Sequence, residues 1–352
     1  MSEEVKPPRA GGYLVVPAKS IDEDKLTEFA AAVWPERPRD RILASWWRRA
    51  APDCAVAAIA GGRMVGLCAG RPSEWMIDGR AHPVVAICDW YVAPDHEGKL
   101  LGRRLVRRFE APDRMLYAFS ISDVAIDYLS RLGWVGPYPS SLMVLPLPRL
   151  ARVPLAALRR RSRLDLQDHE VAGGGVLGPL AAVLDHIEAR RREHALAHMK
   201  RGAAEWSWRL SVCGERRYRF CVARRAGEST GYVAVRRMTP GSSRLLGKLD
   251  GAIVTDLVAL DNDPATLRAL AFRAVEIAAE LRAAVVLMAT TAPAHRQALA
   301  ATGFLSPGFP LLGRQLQRRS PVFMWLPKGP GAGLAADAVE ITFADSDVDL
   351  AL

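Results

Sequence analysis

The sequence predicts an α/β protein, with α+β features, built from two tandem copies of one unit. Three observations support this fold class. The chain has 352 residues, which is more than one hydrophobic core usually holds. Short apolar runs of strand length alternate with longer amphipathic stretches. Finally, segments of the first half recur in the second half in the same order, which indicates an internal duplication.

Three pairs of matching positions define this repeat. Trp47-Arg48 is echoed by Trp208-Arg209, Asp89 by Asp256, and Gly133 by Gly303. The separation between matching positions grows slowly along the chain, as expected for two copies that differ by small insertions. We therefore place domain 1 at 1–148, a linker at 149–166, domain 2 at 167–328 and a flexible acidic tail at 329–352.

The first copy is predicted to follow the order β-α-α-β-β-β-α-β-α-β. Ser20 is a suitable N-cap for the first helix, and Gly61-Gly62 is typical of a hairpin turn between two strands. The predicted elements are strand 13–17, helix 20–34, helix 39–50, strands 55–59 and 64–71, strand 84–92, a helix from 101, strand 115–121, helix 123–132 and two short strands within 134–147.

The stretch CDWYVAPDHEGKLLGRRLV, residues 88–106, is the centre of this prediction. A buried strand leads through Pro94 into a loop with Gly98 and Gly102, and then into a helix. The first N–H groups of a helix lack partners and lie at the positive end of its dipole, so this junction favours an anion such as a phosphate.

This stretch resembles the acyl-CoA motif of the Gcn5-related N-acetyltransferase (GNAT) superfamily. In the aligned motif, Glu97 stands at the family's Arg/Gln position, Leu100 at the first glycine and Gly102 at the second. The resemblance implies a mixed central sheet flanked by helices in each copy, with acetyl-CoA or another acyl-CoA as co-substrate and no metal. The residues that it implies for acyl-CoA binding are Tyr91, Val92, Gly98, Lys99, Leu100, Leu101, Gly102, Arg103 and Ser122.

A second segment, AIDYLSRLGW, resembles the family's late helix. There Leu129 stands where the family has the tyrosine that protonates the leaving thiolate. Tyr128, one position away, is an alternative acid, and a packed aromatic is the favoured reading. Asp89 is the best carboxylate for a base, although its echo at Asp256 favours a structural role. Glu74 and His82 are further candidates for the base.

The second copy lacks the phosphate loop. After Val258 the chain reads ALDNDPATLRALAFRAVEIAAEL, which predicts a helix without glycine, and Leu299 stands at the tyrosine position. We expect this copy to pack and to shape a substrate cleft rather than to bind CoA. The DSDVD segment near the C-terminus lacks the remaining ligands of a calcium loop and is expected to be solvated.

Composition restricts the other function classes. The net charge of +10 comes mostly from dispersed arginine pairs, without an aromatic platform, so nucleic-acid binding is disfavoured. The five cysteines show no CxxC spacing, which indicates a reduced protein without a zinc site. No apolar run reaches membrane-spanning length and the first residues lack the apolar region of a signal peptide, so we expect a cytoplasmic protein with no membrane contact.

These inferences predict an N-acyltransferase that transfers an acyl group to a primary amine of a small molecule or amino sugar, by direct attack on the thioester. The alternative is a catalytically silent acyl-CoA-binding or scaffold protein of the same fold. Nucleic-acid binding is a third hypothesis. The sequence leaves open whether the chain is a homodimer.

Overall fold

The computed structural model describes residues 12–33, 54–147, 164–172, 176–191, 197–212, 217–238, 249–307 and 320–345. Within these ranges the chain forms fifteen strands in two sheets, together with seven α-helices. Each sheet mixes parallel and antiparallel pairs, which confirms the predicted fold class. The predicted helix 39–50 lies outside the described residues.

The strands are β1 Leu14–Pro17, β2 Ala55–Ala60, β3 Arg63–Ile77, β4 Arg80–Val92, β5 Met115–Phe119, β6 Val135–Pro139, β7 Ser141–Pro146, β8 Asp165–Ala172, β9 Ala197–Met199, β10 Arg217–Arg225, β11 Glu228–Arg237, β12 Gly251–Ala259, β13 Val285–Thr290, β14 Val322–Trp325 and β15 Val339–Glu340. The helices are α1 Glu23–Val33, α2 Leu101–Val106, α3 Asp123–Arg131, α4 Pro179–Arg191, α5 Ala203–Val212, α6 Pro264–Glu280 and α7 Pro293–Ala301.

The Gly61-Gly62 signal acts as predicted at the first of two hairpins in the first sheet. Gly61 and Gly62 have φ values of 55° and 74°, the left-handed region that a tight hairpin turn requires. Asp78 and Gly79, also at positive φ, connect β3 to β4. β3 continues to Ile77, beyond the predicted end at residue 71, because its second half stays paired with β4.

Each half contributes strands to the sheet of the other half, and β9 and β15 of the C-terminal half also join the first sheet, where β9 pairs with β3. The first sheet has the order β1-β2-β3-β4-β5-β14-β6, and the second has the order β7-β13-β12-β11-β10-β8. Thus β14, from the C-terminal half, lies between β5 and β6, and β7, from the N-terminal half, pairs antiparallel with β13. Each sheet is therefore completed by the other half of the chain.

The crossing into β7 and the crossing into β14 occur at one place. The chain leaves the first sheet at Ser140, whose N–H and hydroxyl both donate to the Pro321 carbonyl, at 2.9 and 2.7 Å. Ser320, where the other half crosses, accepts the Leu142 N–H with its hydroxyl at 3.1 Å. These bonds satisfy the buried polar groups of two strand ends that no sheet ladder pairs.

A hydrophobic core lies on each face of each sheet, and one further cluster joins the halves. That cluster contains buried aromatic side chains of β3, β5 and β14, among them Trp75, Tyr117 and Trp325, together with Ile253 and Leu287 of the second sheet. The cluster buries apolar surface from both sheets at once, so it stabilises the pairing of the two halves.

The expected flexible tail at 329–352 is wrong for residues 339–345, which are packed. β15 pairs in parallel with β9, and Ile341, Phe343 and Asp345 are buried. The acidic side chains of this segment are held by buried arginines rather than by solvent, which sequence periodicity does not reveal. β8 begins at Asp165, inside the expected linker 149–166. Residues 148–163 and 346–352 lie outside the described part of the chain.

Candidate functional site

A gap between the two central strands of the first sheet organises the candidate site. β4 and β5 run parallel and pair only at Val84, Val85 and Ala86. β4 then continues to Val92, paired with β3 on one side alone. Ala93 donates its N–H to the Val65 carbonyl at 2.9 Å. Because N–H groups alternate in direction along a strand, the N–H of Val92 faces the gap.

Asp89 lies at a β-bulge in the middle of this stretch. Two residues of β4, Asp89 and Trp90, oppose the single residue Cys68 of β3 here, and Asp89 has a φ of 42°. A non-glycine residue in this region is uncommon and is often found near functional sites. Burial first, and then the nearby Asp89 charge, raise the pKa of the Cys68 thiol well above its ordinary value. The Asp89 carboxylate is thus half-buried beside an uncharged thiol.

The loop after β4 presents backbone groups to solvent before α2 begins. Gly98 has a φ of 73°, and no atom lies within 4 Å of a Cβ built there. Leu100 is left-handed as well, with a φ of 58°, and its side chain is 61% exposed. Lys99 is exposed and donates to the Asp95 carbonyl at 2.8 Å. Leu101, in contrast, is buried beneath the helix and anchors it to the sheet.

Four residues connect the start of α2 to the late helix. A Cβ at Gly102 would lie 3.0 Å from the Trp90 ring, a tight contact that the ring would have to relieve by a small shift. The Trp90 ring packs edge-on against Tyr128, with centroids 5.4 Å apart. The Tyr128 hydroxyl accepts the N–H of Arg103 at 3.1 Å. A first-turn donor that could meet a phosphate is therefore already bound to the tyrosine.

The other residues implied by the resemblance lie at three different depths. Leu129 is fully buried and belongs to the core. Ser122 is exposed and caps α3, accepting the Ala125 N–H at 3.3 Å. Tyr91 is half-buried on the face of the sheet opposite to α2, in the same cluster as Cys88 and Trp208.

The described residues fit an acyl-CoA group at this gap. The Val92 N–H faces an unpaired strand edge, and the loop at Gly98 leaves open space beside its backbone. Lys99 and Arg104 are exposed around the helix start, and Arg103 is half-buried. Glu97 is exposed as well, so its charge is solvated.

The weaker base candidates lie away from the bulge. Glu74 pairs with Pro83, and His82 pairs with Trp75, so both are near the far end of the β3–β4 hairpin. Glu74 forms an ion pair with Lys200 at 2.7 Å. Of the three predicted carboxylate or imidazole candidates, Asp89 alone lies beside the gap.

The second sheet has the same gap, but the chain itself fills it. β12 pairs with β13 only at Gly251, Ala252 and Ile253, and a bulge at Thr255 lies next to Asp256, whereas Asp89 lies within the bulge of β4. Here residues 341–345 occupy the opening: Thr291 and Ile341 exchange hydrogen bonds, and the Thr342 hydroxyl donates to Asp256 at 3.0 Å. The expectation that this copy packs rather than binds a ligand stays a prediction, now with a physical basis.

Buried charges surround that filled gap. Arg201 is 1% exposed and donates to Asp256 at 2.8 Å and to Asp345. Glu340 accepts from Arg191 at 2.6 Å, and Arg191 and neighbouring cations hold the pKa of its carboxyl well below the ordinary value despite burial. Tyr232 donates its hydroxyl to Asp256 at 2.6 Å. Asp256, the counterpart of Asp89 in the second copy, therefore has a structural role.

Sequence reasoning did not identify Arg201, Arg191 or Glu340 as a cluster. They come from separate elements of the C-terminal half, so no short motif unites them. The sequence did carry one signal for this cluster. In its last residues acids outnumber bases, although the chain as a whole is basic.

No group of three or more His, Cys, Asp or Glu side chains in the described ranges is arranged to hold a metal ion. Among the helices that the structure describes, none has both the length and the apolar character to cross a membrane.

Comparison with known proteins finds a family model that resembles the N-terminal part of the chain. The sequence profile of the Acetyltransferase (GNAT) family matches residues 19–134, which include β4, the loop and α2. None of the curated proteins compared with the chain matches it.

Solved structures share the fold across both halves. A GCN5-related N-acetyltransferase from Anabaena variabilis matches with a TM-score of 0.55 and 12% identity, over 89% of this chain and 72% of that one. A GCN5-related N-acetyltransferase from Kribbella flavida matches with a TM-score of 0.52 and 15% identity, over 89% and 71%. A tandem GNAT protein from the clavulanic acid biosynthesis pathway matches with a TM-score of 0.52 and 17% identity, over 89% and 98%.

Proposed function

Since the chain carries an acetyltransferase (GNAT) domain at residues 19–134 within a tandem GNAT fold, we propose that it is an acyl-CoA-dependent N-acyltransferase. The acceptor is a primary amine of a small molecule or amino sugar, and the reaction occurs in the cytoplasm. The observation that carries this proposal is the gap beside β4, where the Val92 N–H is directed away from β3.

In this proposal acetyl-CoA, or another acyl-CoA, supplies the activated thioester that an amine can attack directly. Tyr91, Val92 and Ser122 line the path of the acyl arm. The N–H of Val92 acts as the donor that polarises the acyl carbonyl. The backbone of Gly98, Leu101 and Gly102 holds the pyrophosphate, and Lys99 and Arg103 add positive charge.

Two side chains are proposed for proton transfer. Asp89 accepts a proton from the acceptor amine, directly or through a water, because it is the carboxylate at the bulge beside the gap. Tyr128 is the proposed acid. The bond from Arg103 uses an oxygen lone pair of the hydroxyl and leaves the Tyr128 proton uncommitted.

Calorimetric titration with acetyl-CoA tests the cofactor site. We expect the wild-type chain to bind, and a Lys99→Glu/Arg103→Glu variant to bind at least about tenfold more weakly, because two positive charges near the pyrophosphate become negative. Arg268→Glu is the matched control, since Arg268 is exposed on α6, the helix of the second copy that corresponds to α2.

Turnover distinguishes the enzyme from a silent binding protein. Release of free CoA in the presence of a panel of primary amines supports the acyltransferase. Binding of acyl-CoA without release by any amine supports the scaffold alternative. Failure of wild-type protein to bind acetyl-CoA or longer acyl-CoAs contradicts the proposed cofactor site itself.

A further inference from the structure

One tyrosine, Tyr13, contacts both ends of the loop between β4 and α2. Tyr13 directly precedes β1, whose first residue, Leu14, pairs with Ile59 of β2, so the backbone beside it is fixed to the edge of the first sheet. Its side chain is half-buried and packs against the core on the α2 face of that sheet. Tyr13 can therefore transmit the position of the sheet to the groups that it contacts.

The first contact is with His96, near the beginning of the loop. The Tyr13 hydroxyl and His96 Nδ1 are hydrogen-bonded at 3.0 Å, and the two rings meet edge-on with their centroids 5.6 Å apart. Within residues 94–100, His96 is half-buried and the others are exposed. The contact with Tyr13 therefore ties the loop to the sheet two residues before Gly98.

The second contact is with Arg104, in the first turn of α2. Its guanidinium donates to the Tyr13 carbonyl at 3.2 Å and lies over the Tyr13 ring, 5.9 Å from the centroid. The backbone N–H of Arg104 donates to the Leu100 carbonyl at 3.2 Å, which is the bond that begins the helix. One residue thus holds the loop before Gly98 and after Leu100.

The loop needs this support because its last residue is strained. Leu100 is left-handed, with a φ of 58°, and it makes no side-chain capping bond to α2. At the start of α6, in contrast, Asp263 accepts both the N–H and the hydroxyl of Thr266, at 2.8 and 2.6 Å. A strained residue other than glycine persists only where the surrounding structure fixes it. The contacts of Tyr13 do for α2 what Asp263 does for α6.

We propose that Tyr13 is a positioning residue: through His96 and Arg104 it holds residues 97–100 in the conformation that binds the acyl-CoA pyrophosphate. The inference rests on the proposed function. A loop that is already ordered loses less conformational entropy when its ligand binds, so these contacts lower the Kd for acyl-CoA. They touch no reacting atom, so kcat at saturating acyl-CoA does not depend on them.

A double-mutant cycle on the full chain tests the proposal, with acetyl-CoA binding measured by calorimetry. Tyr13→Phe and His96→Phe each remove one partner of the hydrogen bond and keep an aromatic ring. We expect each variant to bind acetyl-CoA about fivefold more weakly than the wild-type chain. The double variant should bind no more weakly than either single variant, because all three lose the same bond.

Amide hydrogen exchange measures the order of the loop itself. The N–H groups of Glu97 and Arg104 donate to the carbonyls of Pro94 and Leu100, at 3.1 and 3.2 Å. Exchange at these two amides therefore reports how often the loop opens. We expect it to be faster in all three variants than in the wild-type chain.

Tyr138→Phe is the matched control, because Tyr138 is also half-buried but stacks on Trp325, and it should keep wild-type affinity and exchange. Additive losses in the double variant, or a lower kcat at saturating acetyl-CoA, overturn the proposal. So does a lower midpoint of thermal unfolding in Tyr13→Phe with unchanged Kd and exchange, which would make Tyr13 a structural residue only. If the wild-type chain does not bind acetyl-CoA, the proposed cofactor site is wrong. If it binds and Tyr13→Phe binds equally well, only the role of Tyr13 is wrong.

Discussion

The Tyr128 hydroxyl accepts the backbone N–H of Arg103 at 3.1 Å, joining the late helix α3 to the start of α2. Tyr128→Phe removes this acceptor and the proposed acid together. If Tyr128 protonates the leaving group, kcat should fall about 100-fold while the Kd for acetyl-CoA changes little. Steady-state kinetics and calorimetry measure the two quantities separately.

Tyr138→Phe is the control for this substitution. Tyr138 is half-buried and stacks on Trp325, with ring centroids 5.1 Å apart. A Tyr128→Phe variant with wild-type kcat would refute the acid role and leave the tyrosine as a support for the loop. A change confined to Kd would assign it to positioning of the Arg103 N–H.

The exchanged strands predict that neither half folds alone. A fragment of residues 1–163 lacks β14, so β5 and β6 lose their partner, and a fragment of 164–352 lacks β7. We expect each fragment to be insoluble or unfolded when expressed separately, because unpaired strand edges aggregate. Co-expression should yield a soluble complex, detected by co-purification and circular dichroism. A folded, monomeric 1–163 fragment would show that β14 is dispensable.

Arg201 is predicted to be essential for stability. Arg201→Met leaves Asp256, Asp345 and Glu340 buried without their shared cation, and such a loss typically costs 3–5 kcal/mol. Chemical denaturation gives the free energy of unfolding. Arg217→Met, in an exposed pair with Glu170, should cost less than about 1 kcal/mol. A cost for Arg201→Met no larger than this control would contradict the structural role of the cluster.

His295 predicts a loss of stability in weak acid. It is fully buried, and burial lowers its pKa below the ordinary 6.5. The unfolded state therefore binds the proton first, and folding stability falls as the pH drops from about 6.5 through the folded pKa. His295→Asn should flatten this slope between pH 7 and 5 while keeping a polar group near the Thr290 hydroxyl.

Two carboxylates produce a second loss of folding stability, at lower pH. Burial alone would raise the pKa values of Asp168 and Glu188. Arg273 nevertheless lowers the pKa of Asp168, and His198 and Arg191 lower the pKa of Glu188. Their contribution is present above the unfolded pKa near 4 and is lost as the pH falls further. The wild-type chain and the His295→Asn variant should both lose stability in this lower pH range. His186→Asn, at an exposed histidine of α4, controls for the substitution; an unchanged slope in His295→Asn would refute the assignment.

Local chemistry in the sequence determined much of the first sheet. Gly61-Gly62 predicted a hairpin because its backbone needs positive φ, and the apolar run before Pro94 predicted the central strand. Ser122 was placed correctly at the start of a helix. The fold class followed from the repeat, since two copies of a unit bury two similar cores.

Long-range relationships could not be predicted in the same way. Val322–Trp325 is a strand by its pattern, but nothing in four residues specifies which sheet it joins. Asp345 lies in an acidic segment, and its burial depends on Arg201, which is 144 residues away. Glu205 on α5 pairs with Arg71 on β3, a contact between the halves that no local pattern in either segment predicts.

The strand exchange also has a consequence for synthesis of the chain on the ribosome. Ser140 meets Pro321, 181 residues later, where the halves cross. Domains usually fold in order as they emerge, N-terminal first. Here one edge of β5 has no partner until β14 has been synthesised, so the first sheet is incomplete until nearly the whole chain has been translated. The nascent N-terminal half must remain soluble with an open sheet edge, which makes this protein a candidate client for chaperones that shield unpaired strands.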